Sequence, residues 1–157
     1  MTKQEFVDFC NEEFIKRGFK KKRNKYYRVD RNDLLCMIYL QKSMAEAYYI
    51  NYYFFIGNYD DISKLPSIDE YDIYERFTVL SIDLDEDERF MNACIEYDLY
   101  TKEEIKPFLD EEFESHIIPI IEKGKGELQN KLDHYLPTMF PEDIEKVFKK
   151  LNESSSS

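Results

Sequence analysis

Apolar positions recur along this chain at two different periods, and the switches between them mark out its elements. Phe6, Phe9, Cys10 and Phe14 are spaced to share one face of a helix over residues 3–17. Thr2-Lys3-Gln4-Glu5 is a capping box that satisfies the first orphan amides, and Lys16, Arg17 and Gly18 form a matching stop. From Phe19 the period shortens. Residues 19–29, 34–41 and 48–56 read as three strands, separated by Arg31-Asn32-Asp33 and by Ser43 to Ala47. The second strand is apolar on both faces, with Leu34, Cys36, Ile38 and Leu40 set against Leu35, Met37 and Tyr39. Such a run belongs inside a sheet, and the short connections require antiparallel neighbours. A polar stretch containing Pro66 leads to a fourth strand over residues 72–80, and the acidic stretch 83–98 predicts a short helix around Phe90, Met91 and Cys94.

The helical period then returns. Thr101-Lys102-Glu103-Glu104 is a second capping box, opening a helix to about Lys123 that buries Ile105, Phe108, Leu109, Phe113, Ile117 and Ile120, with Pro119 as its kink or end. Leu128, Leu132, Tyr135 and Leu136 predict a further helix. Pro141 opens a last one carrying Ile144, Val147, Phe148 and Leu151. The predicted architecture is α+β: an N-terminal helix, a four-stranded antiparallel sheet, and C-terminal helices packed on it. One domain is expected over residues 1–152, with a disordered serine tail at 153–157.

Charge divides this picture unevenly. Residues 1–57 carry a net +4, residues 58–115 a net −14 and residues 116–157 a net −1, for a total of −11 over 157 residues. An acidic field repels nucleic acid and anionic membrane and steers basic partners. The three cysteines, Cys10, Cys36 and Cys94, are odd in number and widely spaced, which points to buried thiols in a reducing cytoplasm. The first ten residues hold acids and no apolar core, so no secretory signal is expected, and no apolar run is long enough to span a membrane.

Candidate chemistry is sparse. Asp83-Leu84-Asp85-Glu86-Asp87 alternates acids as a calcium loop does, but Glu88 stands where such a loop needs Gly and Cys94 where it needs Glu. His116 and His134 have no Cys or His at ligand spacing, so no metal and no cofactor is predicted. No nucleophile elbow is present, and Lys123-Gly124-Lys125-Gly126 is too short for a phosphate loop. Lys20-Lys21-Lys22-Arg23 with Lys25, Arg28 and Arg31 could track a nucleic-acid backbone, but it equally guards an edge strand, and the net charge favours the guard. Gln41, Ser43, Asn51 and Arg76 are polar groups at or within apolar strands. They must find partners or reach solvent, as a binding face or as a structural network.

Gly18-Phe19-Lys20-Lys21-Lys22, Asn24, Tyr27-Arg28, the strand ending Leu40-Gln41-Lys42-Ser43, Tyr49-Ile50-Asn51 and the later Tyr74-Glu75-Arg76-Phe77 together resemble the bacterial family "domain of unknown function 4304". The likeness is best over residues 3–80. Members commonly carry a Trp-containing stretch after the Arg strand, where this chain has Asp85 to Arg89 and no Trp. The resemblance implies an α+β domain without an assigned activity. By analogy with small stand-alone members, it also implies an immunity-type protein that neutralises a toxin by binding. The expectation is therefore a non-enzymatic, cytoplasmic binder of a basic protein through an acidic surface at Asp83, Asp85, Asp87 and Glu88. The alternative is a small-ligand or enzymatic pocket over the sheet at Gln41, Asn51 and Arg76.

Overall fold

The computed structural model describes residues 1–82 and 85–153. Helix α1 (Lys3–Lys16) starts on the Thr2–Glu5 capping box, both arms of which form. It ends at Gly18, whose φ of 85° turns the chain so that the Phe19 amide reaches back to the Phe14 carbonyl at 3.2 Å. Strands β1 (Lys20–Lys22), β2 (Lys25–Arg28), β3 (Leu34–Lys42), β4 (Tyr48–Ile56) and β5 (Ile73–Arg76) follow in a meander, ordered as in sequence and antiparallel throughout.

The sheet thus has five strands where four were expected. The predicted first strand is itself a hairpin, because the chain turns at Arg23-Asn24 with Arg23 at φ 61°. A run of lysines carries no apolar alternation to reveal such a turn. β1 is exposed along its whole length and forms one edge of the sheet, where its charges discourage pairing with another chain. The predicted fourth strand is also divided. Phe77 is fully buried, the chain leaves the sheet after it, and β6 (Val79–Leu80) pairs instead with β7 (Met91–Asn92) in a separate two-stranded ribbon. The short helix expected around Phe90, Met91 and Cys94 is therefore corrected. Met91 lies in a strand, Phe90 exchanges hydrogen bonds with Ser81, and the described residues before it form a 3-10 turn at Glu86–Glu88.

The two faces of the sheet are covered by different means. Leu34, Cys36, Ile38, Ile50, Tyr52 and Phe54 point to one side and meet Phe6, Phe14, Phe113 and Ile117 from the helices. Leu35, Met37, Tyr53 and Phe55 point to the other, under Tyr59, Ile62, Leu65, Ile68 and Tyr71 of the 57–72 connection. The alternation read from β3 is thus the division between two cores. Helix α2 (Lys102–Glu112) runs through a π turn (Phe113–Ile117) into α3 (Ile118–Lys123). Pro119 accounts for the π turn: it has no N–H for the Ser115 carbonyl, and the Ile118 amide bonds back to Phe113. Beyond α4 (Lys125–Asn130), the predicted helix dissolves into 3-10 turns at Leu132–His134 and Leu136–Thr138, and α5 (Pro141–Asn152) closes the fold. Among the described residues, no helix is long and apolar enough to cross a membrane. Of the expected serine tail, residues 154–157 lie outside the described residues.

Candidate binding face

The loop-covered face of the sheet is only partly covered. At the end away from the 57–72 connection, Tyr39, Gln41, Tyr49 and Arg76 are half-buried, and between them lies Asn51, with no exposure at all. Register explains the grouping: Asn51 pairs with Tyr39 on β3 and Arg76 on β5, and Gln41 pairs with Tyr49. The Asn51 amide nitrogen donates to Gln41 Oε1 at 3.1 Å and to the Tyr39 carbonyl at 3.4 Å. Its oxygen accepts from Tyr74 Oη at 2.8 Å and Arg76 Nε at 2.9 Å. All four hydrogen-bonding positions of the amide are filled by the chain itself. A ligand could bond Asn51 only by displacing one of these partners, Gln41, Tyr74 or Arg76 among the side chains. Three of the four polar strand residues singled out from sequence are thus brought together. Ser43 is not, because its hydroxyl bonds the Ala45 backbone inside the β3–β4 turn.

Arg76 connects this network to the ribbon. Its guanidinium lies 4.0 Å from the centre of the Tyr49 ring. A hydrogen bond with the Cys94 side chain, followed by the charge of that group, pushes the Tyr49 phenol up from its ordinary value. Next to Cys94, Ile95 makes an antiparallel bridge to Tyr48, with N···O distances of 3.0 and 2.9 Å. The β6–β7 ribbon is therefore fastened to β4 beside Tyr49.

On and beside that ribbon sit half-exposed apolar side chains: Phe90 is 52 % exposed, Met91 50 % and, on the following 3-10 turn, Leu99 41 %. A groove of about 240 Å³ runs between Phe90, Cys94, Glu96 and Leu99. Glu96 lines the groove, and the flanking sequence carries further exposed acids at Asp85, Glu86, Asp87, Glu88 and Asp98. Of the acidic surface expected from sequence, Asp85, Asp87 and Glu88 are solvent-facing here, while Asp83 lies outside the described residues. The exposed apolar side chains near them in sequence were not anticipated, because Phe90 and Met91 read as part of a short helix. The basic segment lies elsewhere, where Lys22, Arg23, Lys25 and Lys64 share an open hollow of about 1030 Å³ with Asp61 and Glu70.

The thiols divide in the same way. Burial pushes Cys10 and Cys36 well up from the ordinary thiol value, so neither supplies a thiolate, whereas Cys94 is half-buried at the ribbon.

A second polar group, also missed from sequence, forms where the π turn meets the Leu132–His134 turn. His116 and His134 stack with ring centres 3.5 Å apart and an interplanar angle of 2°, and His134 Nε2 is 3.2 Å from Glu112 Oε1. Tyr52 donates to the same carboxylate oxygen at 2.5 Å, and Tyr135 donates to the His116 carbonyl at 2.8 Å. Burial, and then the neighbouring His134, hold His116 below the ordinary imidazole value, so it is neutral at neutral pH. Among the described residues its buried Nδ1 has no hydrogen-bond partner. The Glu112–His116 spacing of four was visible in sequence, but His134 comes from a later turn.

The fold and this face define an α+β domain with an antiparallel meander and an uncovered aromatic sheet end. The family model for the domain of unknown function DUF4304 matches residues 10–123, and the chain belongs to that family. No curated protein and no solved structure matches the chain.

Proposed function

We propose that this is a cytoplasmic binding protein of the immunity type, which neutralises a basic protein partner by docking it on the ribbon and the adjoining sheet end. The observation that carries this reading is the exposure of Phe90, Met91 and Leu99 in a segment that also exposes Asp85, Glu86, Asp87, Glu88, Glu96 and Asp98, and that is bridged to β4 beside Tyr49 and Arg76. Apolar groups rimmed by charge are the anatomy of a protein interface, and Tyr and Arg are its commonest anchors. The net −14 over residues 58–115 selects a basic partner and accelerates its approach. A pocket over Gln41, Asn51 and Arg76 has less support, because the chain saturates Asn51 itself.

The test begins with the product of the neighbouring reading frame, if it is basic and toxic when expressed. Co-expression of this chain should restore growth. The complex should protect the backbone around Phe90 and Tyr49 from hydrogen exchange. Reversing Asp85, Asp87 and Glu88 to Lys should slow association by roughly tenfold or more at low salt and by less at high salt. Protection mapped to the lysine-rich edge, or an association rate indifferent to the reversal, would discard this face.

A further inference from the structure

We propose that Glu112, His116 and His134 form a binding site for one divalent transition-metal ion, with zinc the best match. One ring nitrogen from each histidine and a carboxylate oxygen of Glu112 lie within 4.8 Å of one another. Two imidazoles and a carboxylate suit Zn²⁺, Ni²⁺, Co²⁺ and Cu²⁺, and poorly suit Ca²⁺ or Mg²⁺. Three protein ligands leave one position open to water or to an incoming group.

Three further observations point the same way. The His116 Nδ1 atom is buried and unpartnered, a cost that hydrogen bonding within the chain does not offset. Glu112 is held by the Tyr52 hydroxyl, the kind of outer contact that orients a ligating carboxylate. The π turn, a feature often found at functional sites, begins directly after Glu112 and contains His116. It opens the helix locally, and Tyr135 captures the His116 carbonyl there.

The rings impose a condition on this site. The lone pairs of the stacked imidazoles lie in two separate parallel planes, so both cannot aim at one ion. Coordination requires one ring to turn. His134 is the one able to do so, since it is exposed on a short 3-10 turn while His116 is fixed in the π turn. With metal–nitrogen bonds of about 2.0–2.1 Å, the two ligating nitrogens would settle about 3.3 Å apart. The ion would then clamp the long helix to the turn that precedes α5.

The experiment uses the full chain without a purification tag, titrated with ZnCl2 and CoCl2. We expect one ion per chain, visible d–d absorption with Co²⁺, and a rise in Tm of roughly 5–10 °C at a hundredfold excess of Zn²⁺ over its Kd. Histidine NMR signals from both rings should move together as the stack opens. His134→Ala, which removes an exposed side chain and keeps the fold, should weaken binding at least tenfold, and Glu112→Gln should do the same. Cys94→Ser should leave binding unchanged, because that thiol belongs to the other face. Absence of saturable binding in the wild-type chain would overturn the site. So would binding that survives His134→Ala or disappears in Cys94→Ser.

Discussion

Two polar clusters lie on opposite faces of the same sheet, and they solve the problem of burial in opposite ways. Around Asn51 every donor and acceptor of the amide has a partner drawn from the two flanking strands. Around His116 the rings stack and the carboxylate is held, yet one buried nitrogen is left without a partner. A satisfied network in a region of low dielectric fixes the structure around it. An unsatisfied one weakens it, and is retained where another species completes it. The difference separates a framework from a site: Asn51 positions Arg76 and Tyr49, whereas Glu112, His116 and His134 offer ligands.

The sharpest way to break the comparison is to empty the first cluster. Asn51→Leu keeps approximate volume and strands Gln41, Tyr74 and Arg76 beside an apolar group. The expected loss is about 3 kcal/mol, at the upper end for unsatisfied buried polar groups. In urea titrations the midpoint should fall with the slope unchanged. An unchanged midpoint would mean that the network is incidental.

A third cluster sits between these two extremes, since its groups are all paired but by charge. Glu13, 5 % exposed, meets Lys16 at 2.5 Å, Arg17 at 3.4 Å and Lys106 at 3.5 Å, and Arg17 also pairs with Asp110 of α2. Burial raises the Glu13 pKa, but the Lys16 hydrogen bond and the charges of Lys106, Lys16 and Arg17 outweigh it and leave the carboxyl below its ordinary 4.5. Asp110 is likewise held below 3.8, with burial opposing and Lys106 and Arg17 prevailing. A carboxyl whose folded value is depressed stabilises the fold above its unfolded value, and that contribution disappears as pH falls through the folded value. Stability should therefore decline from pH ~5 downward, and Glu13→Gln should flatten that decline in urea titrations run from pH ~5 to ~3. A variant as acid-sensitive as wild type would remove the pair from the account.

How much of this was legible follows from where each signal lies. The division of β3 into two faces was readable because both faces are apolar and the period is two, so Leu34 and Leu35 could be assigned to different cores before either core was known. The Arg23 turn was not, because lysines on an exposed edge follow no period. The pairing of Gln41, Asn51 and Arg76 was anticipated as a need for partners, since burial of polar groups in apolar strands demands them. Their saturation depends on register, which the β4–β5 connection does not reveal. Phe90 and Met91 misled for a related reason: an apolar pair in an acidic stretch suggested a short helix, and only tertiary placement shows it half-exposed on a ribbon. His134 was unreadable as a partner of His116 because the two meet only through the 3-10 turns that replace the predicted helix.

The smallest expected effect is the one that tests the comparison most directly. His116→Phe keeps a flat ring against His134 and removes the unpartnered nitrogen. If His116 were a structural member like Asn51, its loss should cost about 1–3 kcal/mol, as for other buried hydrogen-bonded groups. Because its Nδ1 bonds nothing, replacement by an apolar ring of similar shape should cost less than about 0.5 kcal/mol or stabilise the fold slightly. Thermal unfolding without added metal reads this directly: Tm should stay level or rise, against the clear fall expected for Asn51→Leu. A large fall for His116→Phe would place both clusters in the same structural class and erase the distinction between them.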